Sequence, residues 1–185
     1  ATDSGQLAAI DSLNGRVLWK QNLTDNRFES PLNYIDGRLY LGEGGAYGQG
    51  KKRFFCLFEN GTECWNITRE TKGYQWCGAA VAGNYLVFGR NEGIILSVNR
   101  SSGEVADELN LNDSTRLSFS RDTPGRVRAS ATFHDGYIYT TSELSAQEGS
   151  AWKIGLNPDT GRFEDRGWSS PAGFSTSTPS VYNGR

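Results

Sequence analysis

The chain has 185 residues, 36% hydrophobic and 22% charged, with 19 Lys and Arg against 21 Asp and Glu for a net charge of −2. Near-neutrality excludes a broad nucleic-acid footprint, and no run approaches the roughly 20 apolar residues of a membrane-spanning helix. Glycine is about twice as frequent as usual; with 12% aromatics and no methionine, this points to short strands joined by tight turns rather than to a helical bundle or disorder. The sequence opens at Ala1 without a signal-peptide pattern, as is expected of a processed protein or an excised fragment.

Two patterns alternate along the chain. One is a strand, a short polar turn ending in Gly, and a strand. The other is a strand, an Asp-Gly or Asn-Gly type turn, and a strand. In chain order the reading predicts the outer strands of a first blade over 5–23, turning at Asn14-Gly15. A second blade spans 28–67, with turns at Asp36-Gly37 and Asn60-Gly61. A third spans 75–111, with turns at Gly83-Asn84 and Ser102-Gly103. A fourth spans 127–168, with turns at Asp135-Gly136 and Thr160-Gly161. The innermost strand of a further blade follows over 174–182, before a last turn at Asn183-Gly184. Equivalent glycines recur every 42 to 58 residues. Four antiparallel strands at such a period are the signature of a β-propeller blade, and Asn-Gly and Asp-Gly supply the positive φ of two-residue hairpins.

The stretch Ala9-x-Asp11-x-x-Asn14-Gly15-x-x-x-Trp19 resembles the tryptophan-docking motif of the pyrroloquinoline-quinone-type propellers. The resemblance implies that Trp19 packs on the neighbouring blade, mostly buried, while Asp11 and the turn residues hold the hairpin. Later copies are decayed. The second keeps Asn60, Gly61 and Trp65 but has Leu57 in the Asp place. The third keeps Asn99 and Gly103 with Asp107 in the Trp place, and the fourth keeps Asn157 and Gly161 with Asp165 there. Quinone enzymes of this family use vicinal cysteines and calcium ligands. The sequence has no Cys-Cys pair and no Asp-x-Asp-x-Asp-Gly loop, so the resemblance implies a non-catalytic member without cofactor or metal. The chain is expected to be about four blade-equivalents of a larger ring, with open strand edges that invite self-association.

Four further features bear on function. Cys56 and Cys64 flank the Asn60-Gly61 turn on adjacent strands and form a disulfide if the register pairs them; otherwise they, with Cys77, are buried thiols. Asn22, Asn60, Asn66, Asn99 and Asn112 open Asn-x-Ser/Thr sequons, against about two expected from composition. They are placed in loops or hairpin turns, in keeping with an extracytoplasmic glycoprotein. From residue 116 to 128 the chain holds Arg116, Arg121, Arg126 and Arg128 against Asp122 alone. Propeller topology would gather them on one rim with Lys51, Lys52, Arg53 and Arg90, beside Tyr47, Tyr74 and Trp76. Such a rim suits anionic groups and sugar rings; the alternative is a solvated loop with scattered charges. Glu43 and Glu92 lie on the same expected face, and no pair of carboxylates stands out as acid and base. The reading that emerges is a non-enzymatic extracytoplasmic scaffold recognising a protein partner or an anionic surface glycan. Its alternatives are a fragment of a quinone-dependent dehydrogenase and a structural spacer of a cell-surface layer.

Overall fold

A computed structural model describes residues 1–45, 50–113, 115–119 and 125–183. Tyr47, Arg121, Asp122 and the Gly184 turn lie outside the described residues. The described chain is all-β and forms two compact units, Ala1–Gln75 and Trp76–Arg185.

In the first unit β1 (Gln6–Ile10) and β2 (Val17–Asn22) form a two-stranded hairpin. A four-stranded sheet follows in sequential order: β3 (Asn33–Ile35), β4 (Arg38–Gly42), β5 (Gly50–Phe58) and β6 (Glu63–Thr71). The second unit holds two sheets of the same kind. One comprises β7 (Ala80–Ala82), β8 (Tyr85–Arg90), β9 (Ile94–Asn99) and β10 (Val105–Asn110). The other comprises β11 (Thr132–His134), β12 (Tyr137–Glu143), β13 (Gly149–Leu156) and β14 (Phe163–Ala172). All ladders are antiparallel. These are propeller blades, each a meander that needs only hairpin connections.

The turns form where local chemistry demands them. Asp36 and Gly37 have φ of 48° and 76°, and Asp135 and Gly136 have 48° and 74°, the left-handed pair that a two-residue hairpin needs. In the outer hairpins the Asp11 carboxylate accepts the Leu13 N–H at 2.8 Å, and Asn99 and Asn157 accept the N–H groups of Ser101 and Asp159. The first residue of each such turn thus supplies an Asx bond that mimics a backbone turn. The second blade has Leu57 at this position and cannot do so. Its turn shifts by one residue: the Phe58 N–H donates to the Thr62 carbonyl, the Phe58 carbonyl accepts the Gly61 N–H, and the Asn60 side chain accepts the Thr62 N–H.

Leu7, Phe28, Leu41, Phe55 and Leu57 form one core cluster of the first unit. In the second, Ile95, Leu109, Trp152, Ile154 and Phe163 are among the residues packed between its two sheets. The outer strands run further than expected, to Thr71 and Ala172 rather than to 67 and 168, because β5–β6 and β13–β14 keep pairing past their bulges. Residues 174–182 form no strand. Among the described residues no segment pairs with them; Ser175 and Pro179 instead give their carbonyls to the Thr141 and Thr132 hydroxyls.

Candidate binding surface

Within the second unit, one isolated bridge sets up a cluster of charged side chains. Arg126 N–H donates to the Glu143 carbonyl at 2.7 Å, and Glu143 N–H returns the bond at 2.9 Å. In an extended segment, residues two apart share a face. Arg126 and Arg128 therefore both reach the Glu143 carboxylate, at 3.5 and 2.9 Å to Oε1. The Glu143 side chain is 4% exposed, and its Oε2 is buried without a hydrogen-bond partner. A carboxylate buried this deeply needs opposite charge beside it, and two guanidinium groups supply it.

Arg128 also lies over the Trp76 ring, with Cζ 5.0 Å from the centroid, and its Nε donates to Asn91 at 3.4 Å. Trp76 is 49% exposed and has φ of 58°. A bulky residue in the left-handed region costs roughly 1–2 kcal/mol, and such strain collects at functional positions. Arg90 is buried beside this group. It donates to Glu108 at 3.0 Å and lies 3.9 Å from Glu92, while its carbonyl accepts the Val127 N–H. Three arginines thus face three carboxylates. What reaches solvent is Trp76, Arg126 and Glu108, over a base in which Arg90, Arg128 and Glu143 are largely buried.

The structure therefore brings together Trp76, Arg90, Arg126 and Arg128. Arg116 is tied elsewhere: it forms a bidentate pair with Asp107 at 2.9 and 2.8 Å and donates to the Glu108 carbonyl. The Arg116 guanidinium and the Phe163 N–H hold the Asp107 carboxyl below the usual range, against the upward push of its burial. Lys51, Lys52 and Arg53 lie in the first unit, in strand β5 rather than in a loop. Lys51 is exposed, Lys52 donates to Asn26 at 2.7 Å, and Arg53 pairs with Glu43 at 3.0 Å. Glu43 is fully buried and also accepts from Arg53 N–H and Asn26. It is thus an internal anchor. Tyr74, expected beside the rim, is buried against Phe54, with ring centroids 5.4 Å apart. Glu143 went unnoticed in the sequence; the signal was an acidic residue at the end of the second strand of a blade, matched by Glu43 just past the end of β4.

Other expected residues sort as follows. Trp19 is mostly buried, as its docking role requires, with part of the ring still in water. Its Nε1 donates to the Glu59 carbonyl at 3.0 Å, and its ring lies so close to Gly61 that a Cβ there would stand 3.2 Å away. It does dock on the adjacent blade, while Ala9 pairs with it in the hairpin. Trp65 is buried beside Tyr40. The three cysteines are free thiols. Of the sequon asparagines, Asn22, Asn66 and Asn99 lie in strands, not in turns; only Asn60 and Asn112 are in turns. Asn22, Asn60, Asn66 and Asn112 are exposed; Asn66 donates its amide N–H to Glu63 at 2.7 Å and Asn112 to the Glu92 carbonyl at 2.8 Å.

Among the described residues no group of three His, Cys, Asp or Glu side chains converges as metal ligands, and no helix is long and apolar enough to cross a membrane. A quinone does not fit the residues present. The cysteines are not vicinal, and the acidic side chains nearest the exposed tryptophan are committed to arginines.

The family model described as outer membrane protein assembly factor BamB, of the PQQ-repeat type, matches residues 1–182. The chain belongs to this family. Among solved structures it is similar to BamB from Moraxella catarrhalis, with 14% identity and a TM-score of 0.60 over 92% of this chain and 44% of that one. It is also similar to Sqt1 from Saccharomyces cerevisiae, at 13% identity and a TM-score of 0.63 over 88% of this chain and 42% of that one. For quinohemoprotein alcohol dehydrogenase from Comamonas testosteroni the values are 11% and 0.55, over 79% of this chain and 21% of that one. The chain spans less than half the length of these structures, and at such identities they establish the propeller fold alone. No curated protein sequence matches it.

Proposed function

We propose that this BamB-like propeller segment is a non-enzymatic binding module of an extracytoplasmic protein, and that it recognises a protein partner through the Trp76–Arg128–Arg126 surface. The observation that carries the reading is Trp76, kept half-exposed in a strained backbone and stacked under an arginine. Trp and Arg dominate the energetics of protein interfaces. The buried carboxylate beneath them neutralises the cluster, which suits a mixed polar and apolar protein surface better than a polyanionic glycan. The family's description as an assembly factor agrees with a protein partner and an extracytoplasmic home. Self-association through the open edge of β1 belongs to the same reading.

Site-specific photocrosslinking in cells making the full protein tests it. A photoreactive residue at position 76 is expected to yield discrete protein adducts, and one at the exposed Leu13 none. Adduct-free protein at position 76, together with salt-sensitive retention on heparin that Arg126→Ser abolishes, would transfer the surface to an anionic glycan.

A further inference from the structure

In the β5–β6 ladder Cys56 stands opposite Trp65, and Leu57 opposite Glu63, so Cys64 is the extra residue of a β-bulge. A bulge sets two residues of one strand against one of its partner, and this one places Cys64 beside Cys56 on the neighbouring strand. Cys56 is fully buried and Cys64 partly exposed. Arg38 of the adjoining β4 lies within electrostatic reach of both sulfurs, and Cys64, the more accessible of the two, is the one a dissolved disulfide reaches first. Burial, reinforced by the neighbouring Cys64, pushes the Cys56 thiol up.

Cys77 is placed differently. It is fully buried, its sulfur accepts the Gly89 N–H at 2.9 Å and its thiol donates to the Ala129 carbonyl at 3.3 Å. Ser30 holds the matching place in the second blade, where its hydroxyl accepts the Gly42 N–H at 2.6 Å. Cys77 thus does a serine's structural work, and burial pushes its thiol up to about 12.

We propose that Cys56 and Cys64 form a disulfide across the β5–β6 bulge by exchange with a small-molecule disulfide, Cys64 attacking first and Cys77 staying reduced. The Cys64 thiolate attacks one sulfur of the oxidant, the oxidant's S–S bond breaks, and a mixed disulfide forms as one small thiolate leaves. The Cys56 sulfur then attacks Cys64, and the second small thiolate departs. The two protons lost by the protein end on the two released thiols, so the protein is oxidised by two electrons and the oxidant reduced by two. The bond staples the outer two strands of the second blade, and the inference is independent of the binding surface in the other unit.

The arrangement of cleavage sites makes a direct test. Cys56 and Cys64 fall in one tryptic peptide, residues 54–69, and Cys77 in another, residues 73–90. The reduced chain is equilibrated with oxidised glutathione, quenched in acid, alkylated under denaturing conditions and digested. Peptide 54–69 is expected without alkyl groups and two hydrogens lighter than its reduced form, with peptide 73–90 alkylated. Two alkyl groups or a retained glutathione on 54–69, or a link between the two peptides, would overturn the proposal. In Cys56→Ser, Cys64 is expected to keep glutathione as a mixed disulfide, while in Cys64→Ser Cys56 stays unmodified. The reverse pattern would overturn the order of attack, and the wild-type measurement stands if either variant fails to fold.

Discussion

Trp76 is held at φ 58° with half its surface in water, a position where glycine is the unstrained residue. Trp76→Gly relieves strain of roughly 1–2 kcal/mol and gives up a comparable amount of ring packing, so stability is expected to change by less than about 1 kcal/mol. Partner crosslinking from a photoreactive residue at the neighbouring exposed position 126, by contrast, is expected to disappear, because the interface loses its aromatic anchor. Chemical denaturation beside the crosslinking assay separates the two, and a large loss of stability would make Trp76 a packing residue. Trp19 shows the opposite balance. It is tied to the Glu59 carbonyl and pressed on Gly61, so Trp19→Ala is expected to cost about 3 kcal/mol, the low end for a tryptophan truncation, since part of the ring is already wet. An unchanged unfolding midpoint would remove its docking role.

Contacts between elements decide how the third and fourth blades cohere. Gly89 on β8 lies so close to the next blade that a Cβ would stand 2.3 Å from Val127 Cγ1 and 3.1 Å from the Cys77 sulfur. Gly89→Ala is expected to destabilise by about 1–3 kcal/mol through overpacking, measurable as a lowered denaturation midpoint, whereas the solvent-facing Gly50→Ala, with open space at its Cβ, is expected to change little. On the outer strands, Asp107 of β10 accepts the Phe163 N–H of β14 at 2.9 Å while paired with Arg116. Its folded pKa is lowered. The carboxylate's contribution is thus present above its unfolded value of about 3.9 and lost as pH falls through the lowered folded value. Asp107→Asn is expected to flatten the acid limb of a stability-versus-pH curve below about pH 5, and an unchanged limb would place the acid sensitivity elsewhere.

At the scale of the whole molecule, three sheets have four strands, while β1–β2 has two. The Leu23 N–H bonds to the Gly5 carbonyl, so by alternation Leu7 and Ala9 turn their backbone groups toward β2, and Ala8 and Ile10 turn theirs away. Thr2 covers the outward carbonyl of Gln6 at 2.9 Å, but Ala8 and Ile10 are exposed. An open edge of this kind pairs with another strand, and lysine on an edge blocks pairing. The isolated chain is therefore expected to gain sedimentation mass with concentration, and Ile10→Lys to hold it monomeric. A monomer at every concentration would show the edge to be inert.

Much of this architecture was legible because it is local. Asp36-Gly37, Asp135-Gly136 and the Asx residues Asp11, Asn99 and Asn157 set their turns through bonds and φ values within a few residues, and those turns position the strands. The repeats followed from them, while the docking role of Trp19 was implied by the resemblance of its motif to that of the quinone-type propellers. The sites were less legible because their chemistry joins residues far apart in the chain. Arg128 meets Glu143 across a bridge between separate segments, Arg116 turns back to Asp107, and Glu43 takes Arg53 inward. A run of arginines therefore read as free positive charge, although each described arginine of that run is paired. The bulge that puts Cys64 beside Cys56, and the strand pairing that draws Asn22, Asn66 and Asn99 out of turns, likewise depend on register. The sequence by itself determined where the chain turns and how often it repeats, because backbone sterics and neighbouring side chains act within one hairpin. Tertiary structure alone decided which charges are neutralised and which aromatic faces water, because burial exacts a partner for every charge and that partner comes from another strand.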